Sequence, residues 1–352
     1  MEGYSYIFNG IRSGITVTDA WTGSEVVEIA LSESKSGQLV IKELYVGGCP
    51  KDDDPSKFFQ MDKYAVLYNN SSSRLELSNF CLGMVNPYNA NASINDYVDG
   101  KLSYADLNYI PAGQAIWYLP KQMVIEPYSG VVVAMNGAIN HTTTYSQSVD
   151  LSSADYVCYD IDVFSHTSYY PAPSENIPTD NWFKAYKYGQ GTGWALSQIS
   201  PAFFVFSTKG KSPAEFASET DYHYTAGKDG NIIYACAKVP TDWILDGIEV
   251  FNKKYEGLNQ KRLTPSVDAG YVMTSHGKAY SLYRNVNKEA TEALPENKGK
   301  LVYGYSEGVE GSTDPSGIDA EASIRNGAHI IYMDTNNSTN DFHQRSKASI
   351  KQ

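Results

Sequence analysis

The chain has 352 residues, 42% hydrophobic and 19% charged, and its 28 Lys+Arg against 40 Asp+Glu give a formal net charge of -12. That length and apolar content support an extensive core and argue against a disordered chain, while the acidic balance, with no basic run, argues against nucleic acid or an anionic membrane as the main partner. Tyrosine is the outlying residue: its 28 copies equal all lysines and arginines together, and with abundant Asn, Ser, Thr and Gly they favour strands joined by polar turns.

The opening Met1-Glu-Gly-Tyr-Ser-Tyr-Ile-Phe-Asn-Gly10 has neither the basic n-region nor the apolar h-region of a leader. Either the protein is cytoplasmic or the chain is a mature or truncated form that has lost its leader, and an opening that reads as a strand and turn begun in mid-course favours truncation. The segments Tyr4–Phe8, Ile15–Thr18 and Val26–Leu31 predict a strand meander. Residues 1–36 are accordingly read as an N-terminal β segment, the remnant of a small β domain, with Ser32-Glu-Ser-Lys-Ser-Gly37 as the linker. Leu39-Val-Ile-Lys-Glu-Leu-Tyr-Val46 is a nearly continuous apolar strand, stopped by Gly47-Gly48-Cys49-Pro50 and an acidic loop, Lys51-Asp-Asp-Asp-Pro55. A hairpin is predicted next: Lys63–Tyr68, the turn Asn69-Asn-Ser-Ser-Ser73, then Arg74–Ser78. In the return strand Leu75 and Leu77 alternate with Arg74, Glu76 and Ser78, so one face should be buried.

Further strands are predicted at Ala115–Tyr118, Val131–Met135, Tyr156–Val163, Phe203–Phe206, Ile232–Ala235, Trp243–Phe251, Ala279–Tyr283 and His329–Met333. Helical signals are short. Ser212-Pro213-Ala214-Glu215 carries a cap, an N1 proline and a capping-box acid, and Lys288–Leu294 is a second candidate. Strands without βαβ alternation imply an all-β fold, an antiparallel sandwich with long loop insertions and a few short helices. There is no fixed-period repeat and no apolar run near the roughly 18 residues of a membrane span, so no transmembrane segment is expected.

Leu39-Val-Ile-Lys-Glu-Leu-Tyr45, Tyr64-Ala-Val-Leu-Tyr-Asn-Asn70 and Leu75-Glu-Leu-Ser-Asn-Phe80 resemble the opening of lamin-tail-type domains, which are immunoglobulin-like β-sandwiches. Ile125-Glu-Pro-Tyr-Ser-Gly-Val-Val-Val133, Trp243-Ile-Leu-Asp-Gly-Ile-Glu-Val250 and Asn340-Asp-Phe-His343 resemble later pieces in order, although Val66 and Phe80 stand where such domains often have Glu and Trp. Over about residues 37–352, including Lys300-Leu-Val-Tyr303 and Ser338-Thr-Asn-Asp-Phe-His-Gln-Arg345, the chain resembles a domain-of-unknown-function family of Bacteroidales envelope lipoproteins. The resemblance implies a lamin-tail-like sandwich over 37–352 and a cell-envelope location, as an outer-membrane lipoprotein or in the periplasm. It implies no established activity.

Motifs that carry chemistry are mostly missing. There is no G-x-S-x-G elbow, no H-E-x-x-H and no phosphate-binding G-x-x-x-x-G-K-[ST], so no catalytic residue is assigned. Gly189-Gln-Gly191-Thr-Gly193 leads into Trp194 and Pro201, without the helix and lysine of a phosphate loop, and is read as a loop. Cys49, Cys81, Cys158 and Cys236 form no C-x-x-C; disulfides and four buried thiols both remain open. His141, His166, His223, His276, His329 and His343 are scattered singly, so no metal site and no cofactor is assigned. Asp52 to Asp54, Asp314, Asp319 and Glu321 lack a Ca²⁺-loop pattern and are read as solvated turns or caps. Mid-strand Asp246 is read as a buried structural acid.

The most informative stretch is the aromatic insertion at 164–200, where Phe164 to Trp194 carries His166, Tyr169, Tyr170, Trp182, Phe183, Tyr186, Tyr188 and Trp194 between Pro171, Pro173 and Pro178. Flat amphipathic rings on a stiffened loop suit stacking on a sugar or polycyclic ligand. The competing reading is a satellite core that pins the insertion to the sandwich. Tyr169, Tyr170, Trp182, Phe183, Tyr186, Tyr188 and Trp194 are the ligand-binding candidates. The function expected is a non-catalytic cell-envelope binding or interaction protein, with a small-molecule, glycan or protein ligand and an outer-membrane transporter or surface assembly as partner. The alternatives are a metal or haem/siderophore carrier and a hydrolase assembled from loop acids such as Asp314, Asp319 or Glu321.

Overall fold

A computed structural model describes the chain except residues 1–4, 11, 13–14, 21–22, 24–25, 86–96, 197–200, 226–231 and 352. Twelve strands among the described residues form one sheet: β1 Leu39–Tyr45, β2 Tyr64–Asn69, β3 Phe80–Met84, β4 Ala115–Tyr118, β5 Gly130–Ala134, β6 Tyr156–Cys158, β7 Trp182–Lys187, β8 Ala202–Ser207, β9 Ile244–Asn252, β10 Val272–Thr274, β11 Ser281–Arg284 and β12 Phe342–Arg345. Their order across the sheet is β10-β9-β8-β3-β4-β7-β6-β5-β2-β1-β11-β12. Its two ends approach each other, with the Ser275 N–H after β10 donating to Gln344 Oε1 on β12 at 2.8 Å, so the sheet is nearly closed and barrel-shaped.

The expectation of an antiparallel immunoglobulin-like, lamin-tail-like sandwich is therefore wrong. The fold is mainly β, but the sheet is mixed: β5–β6, β6–β7 and β9–β10 are parallel. Parallel neighbours need a long crossover, commonly a helix, and the sequence has no βαβ alternation. Here the crossovers are largely irregular: residues 135–155, 159–181 and 253–271 do the work that a helix does in α/β folds. The long insertions thus create the parallel pairing instead of decorating an antiparallel frame.

Strand β1 is buried along its whole length because both faces are covered. Leu39, Ile41 and Leu44 point into the rolled sheet with Leu67, Leu82, Trp117, Val133, Phe183, Phe203, Ile248 and Leu282. Val40 packs on the outside with Tyr68, Tyr283, Ile330 and Tyr332, and Tyr45 with Tyr64, Val66, Val149 and Ile177. A bulge between Ile41 and Glu43 lets two charges enter this strand. The Lys42 ammonium meets Glu321 at 2.6 Å, and Glu43 accepts from the Ser349 N–H at 3.0 Å. Gly48, at φ 68°, ends the segment where only glycine fits, since a Cβ there would lie 1.9 Å from the Phe59 carbonyl oxygen.

Several local expectations are corrected by remote pairing. Leu75–Leu77 keeps the predicted alternation, yet it pairs with Met123–Ile125 and not with β2, so the hairpin is absent. Ser32–Ser36, read as a linker, is a strand antiparallel to Ser5–Asn9, whereas 15–18 and 26–31 are not strands. Tyr4, in the first predicted strand, lies outside the described residues. Ile232–Tyr234 is a 3-10 turn before a strand at Ala235–Pro240, and His329–Met333 contributes a single bridge at Tyr332. Tyr156–Val163 shortens to β6. The helices at Pro213–Ser218, with its full capping box, and Lys288–Glu292 form where their caps place them.

Candidate ligand-binding cleft

The seven aromatic candidates separate into three environments. Tyr170, Phe183 and Trp194 are buried in the main core. There the Tyr170 ring lies 5.7 Å from Trp117 and 6.1 Å from Phe164, its hydroxyl donates to the Trp194 carbonyl at 3.0 Å, and the Trp194 N–H donates back to that oxygen at 2.9 Å. Burial pushes the Tyr170 hydroxyl far above its ordinary range, which keeps it neutral as this double role requires. Tyr169 packs half-buried on the same cluster beside His166, at 4.8 Å. Trp182 packs instead on the outer cluster of Tyr45, Tyr64 and Ile177, where it meets Tyr159 edge-on at 5.1 Å. Residues 197–200 of the insertion lie outside the described residues.

Tyr186 and Tyr188 belong to the third environment, a cluster between the outer face of the rolled sheet and a small sheet. That sheet has the order Tyr109–Gly113, Ala235–Pro240, His223–Thr225, all antiparallel. Ile110, Ala112, Ala237 and Val239 turn inward onto Ile116, Phe204 and Phe206. Gln114 joins the two sheets in the left-handed region at φ 68°; its carbonyl accepts from the Tyr188 and Gly189 N–H groups at 3.1 and 2.9 Å. Its carboxamide donates to the Gly193 carbonyl at 3.3 Å, and a Cβ on Gly191 would meet Gln114 Nε2 at 2.6 Å. The glycines of Gly189–Gly193 thus allow close approach to Gln114, a packing role rather than a phosphate cradle.

At this junction Tyr188, His223, Tyr224, Thr225, Ile232 and Ala235 line a cleft of about 260 Å³. The Tyr188 hydroxyl donates to the Ala112 carbonyl at 2.6 Å, which fixes the ring, and burial raises it well above its ordinary range. The His223 ring lies 5.0 Å from it. His223 Nε2 is 2.8 Å from the Ala217 carbonyl; a carbonyl only accepts, so the proton is on Nε2, and in the neutral ring Nδ1 is left as an acceptor. Tyr224 packs edge-on against Tyr109 at 5.9 Å, and the Lys238 ammonium stands 5.9 Å above the Tyr109 ring and 5.7 Å above Tyr224. Of the seven candidates only Tyr188 lines this cleft. His223, Tyr224 and Thr225 were not singled out as a group, and three residues that are all half-buried carry too little periodicity to mark their strand.

The remaining polar candidates have separate structural partners. Asp246 accepts from the Ile41 and Gly247 N–H groups at 2.6 and 2.8 Å and contacts Arg284. Asp314 accepts from Val286 and Ser316 N–H groups at 2.9 and 2.8 Å, and Asp319 caps a helix through Ala322 N–H. Burial acts to raise Glu321, but the Lys42 ammonium and the Tyr283 hydroxyl hold its carboxyl below the usual range. His343 is bound between Asn285 and Tyr305, and His141 to the Gly137 carbonyl. Among the described residues no three His, Cys, Asp or Glu are grouped as metal ligands. The four cysteines are buried thiols that form no disulfide, with burial pushing the Cys49 thiol up to about 12. No helix among the described residues is long and apolar enough to cross a membrane.

No curated protein matches the chain. The crystal structure, at 2.50 Å, of a DUF4876 family protein from Bacteroides thetaiotaomicron VPI-5482 superposes with a TM-score of 0.62 at 20% identity, covering 90% of this chain and 72% of that one. At that identity the likeness speaks for the fold alone. The sequence profile of the same family matches residues 126–304, just over half of the chain and the stretch that holds every residue lining the cleft. The chain therefore belongs to the DUF4876 family, proteins of unknown function.

Proposed function

We propose that this protein is a non-catalytic cell-envelope binding protein that takes a small-molecule or glycan ligand in the cleft between the rolled sheet and the small sheet. The observation that carries the reading is the cleft itself, a small opening of about 260 Å³ at which aromatic rings, an imidazole and an edge strand converge. The acids of the hydrolase reading are dispersed in separate structural roles, which favours binding over turnover. The envelope location rests on the sequence resemblance and on the Bacteroides origin of the structural neighbour.

The test is a thermal-shift screen of the intact chain against neutral and acidic oligosaccharides, with Thr225→Trp as a cleft-filling variant. Thr225 is half-buried on a three-residue edge strand, where tryptophan suits the strand. A ligand of the native state raises the melting temperature by mass action. The expected result is a shift in the wild type that disappears in Thr225→Trp, whose own melting temperature stays within about 2 °C. A shift retained in the variant, or none from any saccharide, overturns the reading.

A further inference from the structure

Among the described residues His223–Thr225 is the last strand of the small sheet, with Ala235–Pro240 on one side only. The His223 N–H donates to the Thr220 carbonyl and not to its cross-strand neighbour Ala237. Main-chain groups of alternate residues face the partner in antiparallel pairing, so those of Tyr224 do, while the His223 carbonyl and the Thr225 N–H face the outer edge. Side chains alternate as well. The Tyr224 ring packs on the far face against Tyr109, and His223 and Thr225 share the face turned to Tyr188. Tyr224 therefore lines the cleft with its main chain, and the cleft has a peptide edge and the Thr225 hydroxyl beside the apolar surfaces of Tyr188, Ile232 and Ala235.

Resting on the binding function proposed above, we propose that the cleft selects sugars that carry an acetamido group, with the amide bonded at the His223–Thr225 edge, its methyl against Ile232 and Ala235, and the sugar ring on Tyr188. An acetamido group is a secondary amide like a peptide unit, so a strand edge recognises it as it recognises an added strand. A hydroxyl in the same place can form a hydrogen bond but has no methyl to bury. The volume of about 260 Å³ lies below the roughly 300–1,000 Å³ usual for drug-sized ligands, which suits one ring with its substituent. None of the lining residues is Asp, Glu, Lys or Arg, and a chain of formal net charge -12 repels anions, so the ligand that fits is neutral.

Isothermal titration of the full chain with chitotriose and cellotriose, which differ in an acetamido group or a hydroxyl at the 2-position, separates the two proposals. The wild type is expected to bind chitotriose about tenfold more tightly, and saturation-transfer NMR should show the strongest transfer at the acetyl methyl. Ile232 is 51% exposed, so Ile232→Ser should fold normally and narrow the margin by weakening chitotriose. Equal affinity for the two trisaccharides, with both lost in Thr225→Trp, overturns the acetamido selection and leaves the binding site standing. A full margin in Ile232→Ser, or transfer centred on the ring protons, also overturns the selection. Nε-acetyllysine bound in preference to chitotriose overturns it too, because a protein side chain would then be the source of the amide. Binding of no saccharide overturns both proposals. Circular dichroism melts confirm that each variant is folded.

Discussion

Arg284 lies among three carboxylates, in contact with Asp246 and 3.5 and 3.6 Å from Asp334 and Asp341. One guanidinium cannot offset three ionised acids away from water, so a proton is retained. Burial, reinforced by the Asp246 charge, pushes Asp334 up to about 8 from its ordinary 3.8. A raised acid contributes stability that is fully present below its unfolded value near 3.8 and is lost as pH rises through about 8. Asp334→Asn removes this dependence, because an amide stays neutral and its oxygen can still accept from the Gly37 N–H. In urea unfolding the variant should gain on the wild type by about 1.4 kcal/mol per pH unit between pH 5 and 7; parallel stability curves would show that Asp334 is ionised in the fold. The mid-strand Asp246 was legible as a buried acid, because an aspartate in an apolar strand must find partners. Its partner Arg284 was not, since nothing local ties positions 38 residues apart.

The aromatic insertion is the element whose role the fold decides. Sequence alone allows its rings to stack on a ligand or on one another, since the same amphipathic side chains serve both. The parallel pairing of β6 with β7 makes residues 159–181 a crossover, and this crossover carries Phe164 and Tyr170 onto Trp117 in the main core. Trp194, 1% exposed, completes that packing. Trp194→Ala should therefore cost about 3–5 kcal/mol in chemical denaturation, the usual range for emptying a buried aromatic site; a cost below about 1 kcal/mol would mean that the ring is not part of the core. By contrast, the helix at Pro213–Ser218 was readable because its capping box spans only Ser212 to Glu215. The strand at Ser32–Ser36 was not, because its partner lies at Ser5–Asn9 and its composition is that of a linker.

At the scale of the whole molecule, the four apolar clusters among the described residues draw their buried members from residue 39 onward. The N-terminal segment instead leaves Tyr6, Phe8, Val17, Val26 and Leu31 exposed. One contact with the rest is made by Asn9, whose amide donates to the Thr335 carbonyl at 2.8 Å. Deleting residues 1–36 should consequently leave a cooperative melt within about 3 °C of the full chain, measured by circular dichroism; loss of cooperativity would place the segment within the folding unit. Such a result follows from burial, which dominates stability, and not from the position of the segment in the chain.

Sequence by itself determined which segments are apolar on one face or both, where two helices begin, and that the acidic, tyrosine-rich chain is mainly β. Each of these depends on contacts within a few residues or on a simple periodicity. Only the tertiary structure decided that the strands form one mixed, nearly closed sheet, that the insertion is a packed crossover, and that Tyr188 meets His223 and Tyr224 at a cleft. Strand alternation specifies the face a side chain occupies but not the neighbouring strand it pairs with. Pairing is fixed by how remote segments jointly bury their surfaces, and that is a property of the closed fold.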